Sequence, residues 1–207
     1  MESERVTSNT ERTLGKEAQR NNILAAKIVA DIVKTTLGPK GMDKMLVDAD
    51  GNITITNDGV TILEEIEIEH PAAKMLVEIA RTQEKEVGDG TTTVALLAGK
   101  FLERAESLLD KKIHPTMIVE GYRVASEQAM KILDEISIQV YDKEVLKNIA
   151  VTAMTGKVAE GNKELLARLV VDAVDRVARG KEVSLEDVKT EKVIGESVSE
   201  SELVEGI

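Results

Sequence analysis

Apolar residues recur at intervals of three and four through most of this 207-residue chain. That spacing is typical of amphipathic helices, which bury one apolar stripe. The pattern predicts seven helices, over residues 18–37, 60–67, 71–86, 91–111, 115–136, 143–154 and 163–179. Gly38-Pro39 is expected to end the first helix, and Pro71 and Pro115 fit first-turn positions, where a missing N–H costs nothing. The predicted fold class is therefore mainly α.

One stretch, Met45–Asn57, departs from the helical period. Ile53 and Ile55 alternate with threonines there, and Asp50-Gly51 separates two extended runs. Such a pattern predicts a β-hairpin. A two-stranded hairpin is marginal in isolation, and its exposed edge favours pairing with another strand.

The character of the chain changes near Tyr141 and Asp142. After this point the helices are shorter, a polar loop separates them, and residues 183–207 alternate weakly and are predicted to be extended. We therefore predict two parts, residues 1–141 and residues 142–207.

Charge and composition exclude several functional classes. The net charge is -11, from 27 basic and 38 acidic residues without a long Lys/Arg run, which argues against nucleic-acid binding. Cysteine is absent, so disulfides and thiolate metal sites are excluded. No run of 18 apolar residues occurs and residues 1–19 are polar, so neither a membrane span nor a signal peptide is expected. The simplest interpretation is a soluble cytoplasmic protein.

The segment Val87–Gly99, VGDGTTTVALLAG, is the first candidate site. Its glycines allow positive φ and close approach of a ligand, and the following helix offers free N–H groups and the positive end of its dipole to an anion. Asp89 would repel a phosphate unless a divalent cation lay between them, which indicates Mg²⁺. The candidate ligands of the phosphates are Gly90, Thr91, Thr92 and Thr93. The alternative is an Asp-Gly turn before a threonine-capped helix. Neither GxxxxGK[ST] nor GxGxxG is present.

Three further segments have both a functional and a structural interpretation. Asp58 follows a predicted strand and could orient a water for attack on a γ-phosphate, or simply cap a helix. Gly38 and Pro39, in TLGPKG, form a rigid exposed turn or an ordinary helix stop. Gly156 and Lys157, in TAMTGK, lie in a loop where the lysine could contact a terminal phosphate or be a surface residue.

Together and in this order, the segments resemble the group II chaperonins, a family that includes the archaeal thermosome subunits. The resemblance runs from about Glu11 to Ile207. It is carried by TLGPKGMDKMLVDADGNITITNDGVTIL, HPAAKMLVEIARTQEKEVGDGTTTVALLAG, IHPTMIVEGYRVA and TAMTGK.

The resemblance implies an ATP-driven protein-folding machine of two stacked rings. Residues 1–141 would belong to a helical equatorial ATPase domain and residues 142–207 to the ascending part of an α/β intermediate hinge domain. The substrate-binding apical domain, which contacts unfolded client proteins, would follow. The hairpin would pair with terminal strands of a neighbouring subunit.

The resemblance also assigns site roles. Gly38 and Pro39 would contact ATP or ADP, and Asp89 would hold Mg²⁺ beside phosphates bound by residues 90–93. Asp58 would position the attacking water. Gly156 and Lys157 would lie in a loop that senses the γ-phosphate and relays this to the hinge.

Family subunits are more than twice this long, and their other segments supply a further catalytic aspartate and part of the nucleotide pocket. We therefore expect exposed apolar stripes on helices of this chain. Two hypotheses stay open: a chaperonin subunit portion that carries the ATP·Mg²⁺ site, or a non-enzymatic piece that assembles with other chaperonin segments or self-associates. An unrelated small-molecule kinase is disfavoured because no phosphate-acceptor base or lid can be identified.

Overall fold

The computed structural model describes residues 13–140, 142–180 and 182–206. This part of the chain is mainly helical, with one two-stranded antiparallel sheet, which confirms the predicted fold class. The elements are α1 (Gly15–Lys34), β1 (Lys44–Val47), β2 (Ile53–Thr56), α2 (Gly59–Glu65), α3 (Pro71–Val87), α4 (Thr91–Asp110), α5 (Pro115–Ile136), α6 (Lys143–Met154) and α7 (Lys163–Val177). The chain divides into two compact units between Ile136 and Ser137.

The core of the first unit lies between α1, α2, α3 and α4 and is made of small and branched aliphatic side chains. Helices α1 and α4 approach closely because small residues face each other. A Cβ added at Gly99 would lie 2.2 Å from the Cβ of Ala30. The buried cluster comprises Ala26, Val29, Val33, Val60, Ile62, Leu63, Ala73, Leu76, Val77, Ala80 and Ala95.

Ion pairs join the same two helices at their edge. Glu103 on α4 contacts Lys27 of α1 and Lys100 of its own helix, each at 2.7 Å. Hydrogen bonds from Lys100, which has the larger effect, and from Lys27 lower the pKa of the Glu103 carboxyl to about 2. The carboxylate is thus stabilised in its charged form by two ammonium groups from two helices.

The predicted hairpin is confirmed. Lys44 pairs with Thr56 and Val47 with Ile53, and the turn between the strands is organised by Asp48. The Asp48 carboxylate accepts bonds from the side-chain amide and the backbone N–H of Asn52, at 2.7 and 2.8 Å, and these bonds lower its pKa. One face of the hairpin is apolar and exposed, formed by Met45, Val47, Ile53 and Ile55.

Helix α5 has the predicted bounds but a largely exposed apolar surface. Of its described residues only Ile118 is buried, and the Tyr122 hydroxyl donates to the Phe101 carbonyl of α4 at 2.6 Å. The exposure agrees with the expectation that helices of this chain present apolar stripes to solvent. The large exposed side chains of α5 are Met117, Val119, Val124, Met130, Ile132, Leu133 and Ile136.

In the second unit, α6 and α7 pack against each other, and Ala167 and Ala173 of α7 are buried. The following segment differs from the extended prediction. Residues 182–206 form two 3₁₀ turns, Leu185–Asp187 and Val198–Glu200, and an isolated bridge joins Arg179 to Glu182. No strand longer than this bridge occurs in the described tail. Within the described ranges, no helix is long and apolar enough to cross a membrane.

Candidate functional site

The loop between α3 and α4 consists of a Gly-Asp-Gly turn with two left-handed residues. Gly88 has φ +75° and ends α3, since its N–H bonds to the carbonyls of Gln83 and Glu84. Gly90 has φ +82° and precedes α4. Both conformations are ones that favour glycine, so the backbone geometry expected for this motif is present. No side chain among the described residues caps α4.

A glutamine fixes this loop. The Gln83 side-chain amide donates to the Asp89 carbonyl at 2.8 Å. A Cβ at Gly90 would lie 3.3 Å from the same nitrogen, so a larger residue there would press on this contact. The helical period places Gln83 on the stripe of α3 and does not indicate this bond to the loop. The one sequence feature that could have indicated the bond is a polar side chain near the C-terminal end of α3.

Asp58 lies between β2 and α2 and caps α2. Its Oδ2 accepts from the backbone N–H of Thr61 at 3.0 Å and from the Thr61 hydroxyl at 2.9 Å. The Asp58 N–H donates to the Thr56 hydroxyl at 3.1 Å. The helix-cap interpretation of Asp58 is therefore correct. It leaves the other carboxylate oxygen, Oδ1, for further contacts.

The first turns of α2 and α4 meet at this point. The Thr91 hydroxyl donates to Oδ1 of Asp58 at 3.4 Å. A Cβ added at Gly59 would lie 2.6 Å from the Thr92 hydroxyl and 2.7 Å from its backbone nitrogen, so only glycine allows this approach. Because both helices point their positive ends here, the half-buried Asp58 carboxylate is electrostatically favoured between them.

The predicted site residues of the Gly-Asp-Gly-Thr segment differ in exposure. Thr91 is 4% exposed and directs its hydroxyl to Asp58. Thr92 is half-buried, whereas Thr93 and Asp89 are exposed. The structure thus brings Thr91 against Asp58 and Thr92 against Gly59, whereas Asp89 and Thr93 at the same helix end are exposed.

Gly38 and Pro39 lie in an exposed turn after α1. The prediction that they end the helix is wrong by a few residues: α1 ends at Lys34, where the Thr36 hydroxyl bonds to the Val33 carbonyl at 2.8 Å. Gly38 has φ +85°. A Cβ at Gly41 would lie 2.2 Å from the Thr36 carbonyl oxygen, so the turn is tightly closed.

Gly156 and Lys157 belong to the second unit, where they follow α6. Gly156 has φ +76° and donates its N–H to a Glu160 carboxylate oxygen at 2.7 Å. The Lys157 N–H bonds to the Met154 carbonyl at 3.2 Å. Bonds from Lys163 and from Gly156 lower the pKa of Glu160. This loop is therefore a compact turn in which the Glu160 carboxylate accepts the Gly156 N–H.

Comparison with known proteins decides the family. Residues 29–207 match the model of the TCP-1/cpn60 chaperonin family. The chain belongs to this family.

Thermosome subunits are among the relatives of this chaperonin chain. It is 59% identical over 198 residues to thermosome subunit beta of Methanothermobacter thermautotrophicus and 56% identical over 204 residues to thermosome subunit beta of Archaeoglobus fulgidus. It is 54% identical over 204 residues to the thermosome subunit of Pyrococcus abyssi. Each match covers 96% of this chain and 37% of the relative, so the chain spans little more than a third of their length. The resemblance described above is confirmed.

The donor groups of the chaperonin chain fit a Mg²⁺-phosphate ligand better than an all-protein metal site. No group of three or more His, Cys, Asp or Glu side chains in the described ranges is placed to hold a metal ion. Mg²⁺ characteristically keeps waters and takes one or two carboxylates together with phosphate oxygens. Asp89 beside a helix start without a capping side chain matches that donor set.

A groove of about 560 Å³ flanks α3 on the chaperonin chain. The surface that it exposes is mostly apolar. Gln83, which bonds to the Asp89 carbonyl, is one of its lining residues. The lining residues are Pro71, Lys74, Met75, Glu78, Ile79, Thr82, Gln83, Glu86 and Val94. Because Asp58, Asp89 and the threonine triplet do not line it, this groove is separate from the candidate phosphate site.

Proposed function

We propose that this chain is a portion of a chaperonin subunit that binds the phosphates of ATP or ADP, with Mg²⁺, at the amino end of α4. The single observation that supports this most is the start of α4. Gly90 precedes it with φ +82° and no capping side chain, and the amino end of α2 lies against it. The dipole of α4 and the N–H groups of its first turn would then face one anion.

Different groups at the start of α4 would bind the phosphates and the metal. Backbone N–H groups of residues 91–93 would donate to phosphate oxygens. The exposed Thr93 hydroxyl and the half-buried Thr92 hydroxyl would add donors, whereas the Thr91 hydroxyl already serves Asp58. Asp89 would hold Mg²⁺, which, when bound, offsets phosphate charge and polarises the γ-phosphoryl group. Gly38 and Pro39 would contact the nucleotide.

Asp58 would position the attacking water. Its Oδ2 is engaged by Thr61, but Oδ1 faces the first turn of α4. An ionised carboxylate can accept about four hydrogen bonds, so Asp58 can cap α2 and still accept one from a water.

The remaining assignments are those that the family resemblance implies, and they are part of the same proposal. Residues 1–141 would form part of an equatorial ATPase domain and residues 142–207 part of an intermediate domain. Gly156 and Lys157 would sense the γ-phosphate there. ATP hydrolysis would drive conformational change in a cytoplasmic ring of chaperonin subunits, and client proteins would bind an apical domain of the complete subunit.

A second candidate function is non-enzymatic assembly with other chaperonin segments or with a second copy. The hairpin favours it, because Met45, Val47, Ile53 and Ile55 form an apolar face in which each side chain is 59–66% exposed. Exposed apolar patches of this kind mark association surfaces.

Calorimetric titration with Mg-ADP separates the two functions. We expect the unsubstituted chain to bind Mg-ADP and Asp89→Ala to abolish binding, because the metal loses its protein carboxylate. Asp31→Ala, which removes an exposed carboxylate from α1, is the matched control and should bind normally. Absence of binding by the unsubstituted chain, or equal binding by Asp89→Ala, would reject the nucleotide site and favour the assembly function.

A further inference from the structure

Thr61, in the first turn of α2, makes two bonds to a single oxygen of Asp58. Its N–H donates at 3.0 Å and its hydroxyl at 2.9 Å, both to Oδ2. The N–H bond is the ordinary helix cap, and any residue other than proline can provide it. The hydroxyl bond is additional and depends on a serine or threonine at this position.

The double contact determines which carboxylate oxygen faces α4. With Oδ2 held by Thr61, Oδ1 is the atom directed at the first turn of α4, where the Thr91 hydroxyl lies 3.4 Å away. That distance is long for a hydroxyl hydrogen bond, whose usual range ends near 3.0 Å. Oδ1 therefore keeps acceptor capacity on the side of the proposed phosphate site.

The neighbouring contacts restrain the same geometry from both sides. Gly59 lies against Thr92, so α2 cannot shift along α4 without breaking that contact. The Asp58 N–H is held by Thr56 at 3.1 Å. The backbone of Asp58 is thus fixed, and rotation of its side chain is the freedom that remains. The Thr61 N–H and the Thr61 hydroxyl together restrain this rotation, since both bond to Oδ2.

We propose that Thr61 is a positioning residue for ATP hydrolysis: its hydroxyl fixes the Asp58 carboxylate so that Oδ1 accepts a hydrogen bond from the attacking water. This inference rests on the proposed function. Hydrogen bonds to a charged group are among the stronger ones, so the hydroxyl bond adds a second restraint to the one that the N–H cap provides. Thr61 itself does not touch the nucleotide in this account.

The test compares Thr61→Val, which keeps the branched shape and the N–H cap, with Thr61→Ser, which keeps the hydroxyl. Thr82→Val is the matched control, because the Thr82 hydroxyl bonds within its own helix, to the Glu78 carbonyl 2.8 Å away. Each variant is titrated with Mg-ADP and with Mg-ADP plus aluminium fluoride, which mimics the transferring phosphoryl group. Circular dichroism checks that each is folded.

We expect Thr61→Val to bind Mg-ADP as the unsubstituted chain does but to lose about tenfold in affinity for the aluminium fluoride complex. Thr61→Ser and Thr82→Val should resemble the unsubstituted chain in both titrations. Normal aluminium fluoride binding by Thr61→Val, or the same loss in Thr61→Ser, would overturn the inference while leaving the nucleotide site intact. Failure of the unsubstituted chain to bind Mg-ADP would overturn the proposed function and this inference together.

Discussion

At the residue scale, Asp58 combines two roles that its sequence context presents as alternatives. Oδ2 caps α2, and Oδ1 faces the first turn of α4. A carboxylate has enough acceptor sites for both. The structural role is therefore no argument against a catalytic one, and the two can be separated by substitutions that change the charge and the cap independently.

Asp58→Asn should retain the cap, because asparagine caps helices about as well as aspartate, and the free energy of unfolding should stay within about 0.5 kcal/mol. Asp58→Ala should lower it by about 1 kcal/mol. In the complete subunit, both should reduce ATP turnover far more than Mg-ADP affinity, since the charged acceptor for water is lost. Urea unfolding, steady-state ATPase assays and calorimetry measure these quantities. Equal losses of turnover and affinity would indicate a mainly structural aspartate.

Some residue contacts were predictable and others were not. The left-handed glycines at 88 and 90 follow from a Gly-Asp-Gly sequence between two helices. The bonds of Thr61 and Gln83 depend on side-chain rotamers and on where neighbouring segments lie, which spacing does not specify. His70, to which sequence analysis gave no role, accepts the Ala72 N–H at its Nδ1 and so caps α3. Proline at the first helical position was the signal for that cap.

At the element scale, the helices were predictable because each buries a periodic stripe bounded by a turn or a proline. The bounds of α5 and α6 match the prediction, whereas α1 ends at Lys34 instead of residue 37, and the N–H groups of Thr36 and Leu37 bond to carbonyls three residues back, as in a 3₁₀ turn. Periodicity does not predict which apolar stripe is buried against another element. That depends on which elements are neighbours, so the stripe of α5 is exposed while that of α1 is mostly buried.

Packing of α1 on α4 depends on Gly99. Gly99→Ala would place a Cβ 2.2 Å from that of Ala30, so the helices must separate. We expect a loss of about 1–3 kcal/mol in the free energy of unfolding. Gly121→Ala on α5, where a Cβ meets nothing within 4 Å, is the matched control and should gain about 0.5–1 kcal/mol. Urea denaturation measures both; a stable Gly99→Ala variant would contradict the close packing.

The ion pairs of Glu103 predict a pH dependence. The folded pKa, about 2, lies below the ordinary value of 4.5, so the carboxylate stabilises the fold above pH 4.5 and this contribution is lost as pH falls toward 2. Glu103→Gln should therefore flatten the curve of stability against pH in that window. Glu84→Gln, at an exposed position of α3, is the control for the loss of one carboxylate. Thermal melts between pH 2 and 7 measure the difference, and identical curves for Glu103→Gln and the parent would exclude the ion-pair effect.

At the scale of the whole molecule, the chain is a helical unit that carries the candidate phosphate site and a second unit that carries the Gly156-Lys157 loop. Both belong to a chaperonin sequence whose thermosome relatives are much longer, since the match covers 37% of their length. The family was predictable from four ordered segments, because long matching sequences specify a fold more strongly than any single loop. We expected part of an α/β domain after residue 141, but the described tail contains no strand longer than an isolated bridge. Weak alternation in a sequence does not specify strand pairing, because a strand also needs a partner strand.

The central claim is that a metal-bridged nucleotide phosphate binds the amino end of α4. A crystal structure determined with Mg-ADP tests it most directly. We expect a phosphate oxygen within hydrogen-bonding distance of the backbone N–H groups of Thr91–Thr93, with the metal between that phosphate and Asp89. Nucleotide bound elsewhere, with this helix end in contact only with water, would contradict it.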